Sequence, residues 1–218
     1  MKIAKVETVP VNVPYIANIA SASSKASGVT KCLIFVYTED GIVGLGEMPG
    51  GADAAGQVAR LTAQLVGQDP FRIEYLMERL PGPHRGLYGP TPTVLSGIEM
   101  ALWDIVGKAA NQPISNLFGG RYRDSIPVCA PLFTHEETEG EFAHRTLNMA
   151  IEVIETFGFG GVKVKAGVYR PGAEVEAVRL LREHFGDGIT IRVDPNGVWS
   201  PEETIRLAGV SRSWIWSG

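Results

Sequence analysis

Apolar and polar positions alternate over residues 2–13 around Ile3, Val6, Val9 and Val11, a period of two that predicts a strand. The alternation lapses over 15–29, where Ala, Ser and Gly dominate, and that stretch reads as a mobile loop. Lys31 to Thr38 is β-branched and aromatic and predicts a second strand. Asp40-Gly41 is a hairpin turn, with Ile42 to Glu47 as the return strand and Gly50-Gly51 opening another loop. Helical periodicity follows in 53–66 and 70–80, then a Pro- and Gly-rich loop over 81–92, then a strongly apolar helix from Val94 to Ala109. Strands followed by helices make residues 1–124 an α+β unit.

The pattern changes near 125. Ile126 to Ala130 predicts a strand, Glu136 to Phe157 a helix, and Gly161 to Lys165 a short strand. Glu174 to Phe185 then predicts a helix and Ile189 to Asp194 a strand. Pro201 to Leu207 starts another helix, with Ser200 placed as its N-cap. This alternation predicts about three βα units and a parallel sheet over 125–218. An open doubly wound sheet and a (β/α) barrel both satisfy it. Residues 209–218, with Trp214 and Trp216, do not continue the helical pattern.

Composition narrows the partners. The chain has 218 residues, 44% hydrophobic and 20% charged, as an ordinary globular chain does. A formal net charge of −4 gives no support for nucleic acid or an anionic membrane as partner. The N-terminus has no signal-peptide pattern, and no apolar run approaches the roughly 20 residues that cross a bilayer. Cys32 and Cys129 sit in apolar runs and read as buried free thiols, which fits a reducing cytoplasm. His84, His135, His144 and His184 show no metal-ligand spacing, and no phosphate-binding Gly-x-Gly-x-x-Gly follows a strand.

Chemistry in α/β folds gathers at the carboxyl ends of strands. Two predicted strands end in reactive groups. In Lys163-Val164-Lys165 the two lysines share one strand face, opposite Val162 and Val164. Facing inward, each ammonium would lower the other's pKa, which is how a lysine becomes a base near neutral pH. Facing outward, they are two solvated lysines. Asp194-Pro195-Asn196-Gly197 ends the other strand. Asp194 there is a turn-former, a base or an oxygen ligand for hard Mg²⁺.

A Lys-x-Lys strand end followed one βα unit later by Asp-x-Asn resembles the mandelate racemase and muconate lactonizing branch of the enolase superfamily. Ser96-Gly97-Ile98-Glu99-Met100-Ala101-Leu102-Trp103-Asp104 looks like that branch's helix, and Pro113 to Gly120 followed by Ile126-Pro127-Val128 like its crossing into the barrel. Within the branch, residues 163–168 and 194–200 are most similar to the glucarate dehydratase group.

The resemblance implies an α+β capping domain, 1–124, followed by the first βα units of a modified TIM-type (β/α) barrel, 125–218. It implies a Mg²⁺-dependent carbon–oxygen lyase that removes the proton α to a carboxylate of an acid sugar and stabilises the enediolate on metal. Lys165 matches the base, Lys163 the neighbour that tunes it, Asp194 the first Mg²⁺ ligand and Asn196 a residue pointing at substrate. The 15–29 and 48–52 loops match the loops that select substrate. A full-length chain would be a homo-oligomer. The family's next carboxylate ligand would fall roughly 25 residues beyond Asp194, and residues 209–218 do not resemble the family. A truncated or frame-disrupted chain, inactive alone, is therefore expected. A racemase or cycloisomerase of the same superfamily, or a non-catalytic interaction module, are the alternatives.

Overall fold

The computed structural model describes residues 1–21, 24–80, 91–133 and 137–205. Strand β1 (Ile3–Ser21) continues well past the alternating stretch and lies beside β2 (Ser24–Thr38). The described part of the expected 15–29 loop is thus strand. Small Ala and Ser side chains have little strand preference, so they do not announce a strand that is made by pairing of backbone groups. Gly28 permits the close approach: a Cβ there would meet the Val13 carbonyl oxygen at 2.8 Å. Strand β2 pairs antiparallel with β3 (Val43–Pro49), in register from Lys31–Pro49 to Tyr37–Val43 around the predicted turn, where Gly41 has φ 84°.

Helices α1 (Ala52–Leu65), α2 (Ile73–Arg79), α3 (Pro92–Ala110) and the short α4 (Ile114–Leu117) follow. Ile34, Val36, Met48, Leu61, Ile98 and Leu102 anchor one buried core. Gly46 lets α3 rest directly on β3, because a Cβ at that position would lie 1.9 Å from the Gly97 carbonyl oxygen. The predicted 81–92 loop falls almost entirely outside the described residues.

The second half contains β4 (Ala130–Leu132), α5 (Glu139–Phe157), β5 (Gly161–Lys165), α6 (Pro171–Phe185) and β6 (Thr190–Asp194). The strands are parallel in the order β4-β5-β6, with Pro131 level with Lys163, Lys163 with Arg192, and Lys165 with Asp194. Strand β4 begins four residues later than the pattern suggests. Its first partner is Val162, next to the start of β5, so 126–129 have little β5 left to bond to, and Ile126 and Val128 are exposed. Helix α5 starts at a capping box, in which Thr138 N–H donates to Glu141 Oε2 at 2.9 Å. Helix α6 begins three residues before Glu174, with Pro171 in its first turn. Ser200 caps as expected: Glu203 N–H donates to Ser200 Oγ at 3.1 Å, and 201–205 are helical, with the rest of that predicted helix outside the described residues.

Phe142, Ala150, Ala177 and Leu181 of α5 and α6 pack with Val162, Val164 and Ile191, so both helices cover the same sheet face. A doubly wound sheet would place helices on both faces. Helices on one face of an unreversed parallel sheet are the βα units of a barrel, incomplete within these residues. By internal packing the chain divides into one unit of residues 1–14 with 28–124 and another of 15–27 with 125–218. Among the described residues, no helix is long and apolar enough to cross a membrane.

Candidate active site

Period-two geometry on β5 sends Val162 and Val164 under the helices, where both are fully buried, and leaves Lys163 and Lys165 on the opposite face. Lys165 is 9% exposed and Lys163 is half-buried. The parallel register sets Lys165 beside Asp194. Lys165 Nζ donates to Asp194 Oδ2 at 2.6 Å, and Lys163 Nζ lies 3.4 Å from the same oxygen. The structure thus brings together three of the four residues singled out in the sequence.

Asn196, the fourth, is exposed, with φ 52°. Its backbone N–H donates to Asp194 Oδ1 at 3.1 Å. Asp194 is therefore a turn-former through one oxygen and an ion-pair partner through the other. Chiefly the Lys165 hydrogen bond, then the Asn196 N–H and Lys163, hold its carboxyl down to about 2. The two ammoniums do not face each other unscreened, since a carboxylate lies between them.

Several further groups at these strand ends carry no marked signal in the sequence. The Phe133 ring, just past β4, has its centroid 5.9 Å from Lys165 Nζ. Glu174 is fully buried and accepts at Oε1 from the N–H groups of Gly167, Val168 and Tyr169, at 2.6, 2.9 and 3.0 Å. Its Oε2 accepts from Trp199 Nε1 at 3.1 Å. Burial pushes its carboxyl up, and these four donors oppose the shift. Sequence offers one faint signal for it, a carboxylate in the first turn of a helix. Tyr169 Oη donates to the Glu137 carbonyl oxygen at 2.5 Å, which ties the same loop to the start of α5.

Cys32 is buried as expected, and burial raises its thiol pKa. Cys129 is a correction: it precedes β4, is only half-buried, and has Arg192 Nη1 at 3.7 Å from Sγ. His144 and His184 are exposed on their helices, while His84 and His135 lie outside the described residues.

Asp194 offers hard oxygen donors suited to Mg²⁺. Among the described residues, however, no three His, Cys, Asp or Glu side chains converge where they could hold a metal ion. Both Asp194 oxygens are already engaged. These residues alone do not build a magnesium site.

Comparison with known proteins places this geometry in a lineage. Residues 3–119 match the family described as mandelate racemase / muconate lactonizing enzyme, N-terminal domain, and residues 145–213 match the enolase C-terminal domain-like family. The second match includes 209–213, so these residues fall within the family's pattern, contrary to the expectation that 209–218 lie outside it. A probable glucarate dehydratase of Streptomyces coelicolor is 29% identical over 82% of this chain and 48% of its own length. An N-succinyl-L-Arg/Lys racemase of Bacillus cereus is 30% identical over 87% of this chain and 50% of its own. The crystal structure of an enolase from Pseudomonas fluorescens with bound magnesium, potassium and tartrate is 27% identical, with a TM-score of 0.83, covering 98% of this chain and 56% of that one. The chain thus spans about half the length of the curated relatives it matches. With both halves matched in order and the fold shared, the chain belongs to the mandelate racemase / muconate lactonizing enzyme family of the enolase superfamily.

Proposed function

We propose that this chain carries the base half of a proton-abstraction site for an acid sugar, in an enzyme of the glucarate dehydratase type. The observation that carries the proposal is the pairing of a nearly buried lysine with a carboxylate at two adjacent strand ends, Lys165 Nζ to Asp194 Oδ2 at 2.6 Å. Lys165 is the proposed base and Lys163 its cationic neighbour, placed to hold the substrate carboxylate. Asn196 is the polar residue offered to substrate, and Asp194 is the one magnesium ligand of this half. The domain division at 124/125 belongs to the same proposal.

An ammonium is not a base. Lys165 must lose its proton, and its bond to Asp194 must open, before it can accept the substrate's α-proton. In a dehydration the α C–H electrons then form the enol double bond as the β C–O bond breaks, a general acid supplies the proton with which the hydroxyl departs as water, and the enol relaxes to a keto-deoxy acid. A racemase shares the first step and differs in returning a proton to the other face. The racemase relative, as similar as the dehydratase, keeps that second reading open.

The test joins residues 1–205 to the remaining barrel strands of a dehydratase relative and offers a panel of acid sugars. Keto-acid formation is expected, with K165A slowing it by about 10²–10⁴-fold. Undiminished turnover in K165A removes Lys165 from its role, and racemised acid without keto acid supports the second reading.

A further inference from the structure

We infer that Glu174 is a positioning residue that locks together the two loops following Lys165 and Asp194. One buried carboxylate reaches both loops. Its Oε1 gathers three consecutive N–H groups, those of residues 167–169, within four residues of Lys165. Its Oε2 takes the indole N–H of Trp199, five residues beyond Asp194. Lys165 and Asp194 are paired across the strands by register, and the Ala166 N–H donates to the Asp194 carbonyl oxygen at 3.0 Å. The carboxylate spans the loops just past the last interstrand bond, where the ladder no longer fixes their separation.

The chemistry calls for a carboxylate. Four donors converge on two oxygens, and only an ionised Glu or Asp offers acceptors at both. Glutamine would turn an NH₂ toward either the backbone N–H groups or the indole N–H, leaving a buried donor against a donor. No cation is among these partners. The negative charge is held by N–H dipoles alone, so it does not compete with Asp194 for Lys165 or Lys163. Alpha-helical packing gives the hub rigidity, since Glu174 lies in the first turn of α6, while the Tyr169 hydroxyl bonds the start of α5.

The consequence for catalysis rests on the proposed roles of Lys165 and Asp194, but the positioning itself can be tested without turnover. The probe is an amine-reactive acetylating reagent applied to the intact chain at fixed pH, with each lysine's labelling rate read by mass spectrometry. Lys165 is held by Asp194 and nearly buried, so it labels slowly in the native chain. In E174Q the loops part, and Lys165 is expected to label about tenfold faster, while Lys31 and Lys108 keep their rates. E174D is expected to restore part of the protection. W199F removes only one of the four donors, so it keeps the fold where E174Q loses it, and a severalfold rise at Lys165 is expected there too. Unchanged Lys165 labelling in a folded E174Q or in W199F overturns the inference. So does a rise shared equally by all lysines, which marks general loosening. Failure of K165A to affect turnover would instead count against the proposed base and leave these rates untouched.

Discussion

Asp194 is where charge, turn geometry and strand register meet. Its carboxyl is held at about 2 against an ordinary 3.8. A depressed carboxyl stabilises the fold in its ionised form. That contribution is complete above about 3.8 and is lost as pH falls toward about 2. Carboxyl-carbon NMR should find Asp194 titrating near 2 in the native chain, and K165M should move it back toward the ordinary range. An unmoved midpoint in K165M would assign the depression to the Asn196 N–H instead. At this scale the sequence made Lys163, Lys165, Asp194 and Asn196 visible, because residue type and strand-end position are both written in the chain. It did not show that one carboxylate oxygen would sit between two ammoniums. That depends on register between strands separated by a whole helix.

At the scale of elements, the strands and helices with strong periodicity stand close to where the pattern puts them. Departures occur where side chains carry little information. Residues 15–21 are strand because β2 runs beside them, and 126–129 are not because their partner has barely begun. Two substitutions test the local logic. G46A drives a Cβ into the Gly97 carbonyl and must push α3 off β3, with an expected loss of about 3 kcal/mol in urea unfolding. T138A removes the side-chain half of the α5 capping box, leaving the Thr138 N–H bond to Glu141, and should cost about 1 kcal/mol, read the same way. Equal and negligible effects of both would mean that these contacts do not hold the elements in place.

For the whole molecule, the described residues bring no three metal-ligating side chains together, and one carboxylate is too few oxygen ligands for magnesium. The 218-residue chain alone should produce no keto acid from acid sugars, and its melting temperature should be indifferent to millimolar MgCl₂ or EDTA. Measurable magnesium-dependent keto-acid production by the purified chain would refute that expectation. The sequence by itself determined the lineage, the order of elements and the identity of the reactive groups, since periodicity and strand-end motifs are local properties. Only the tertiary structure decided that both helices cover one sheet face, which makes a barrel rather than a doubly wound sheet. It alone also brought Glu174 under two loops and Asp194 between two lysines. Those contacts join residues 5 to 31 positions apart, and spacing along a chain does not say which side chains a fold will bring within hydrogen-bond distance.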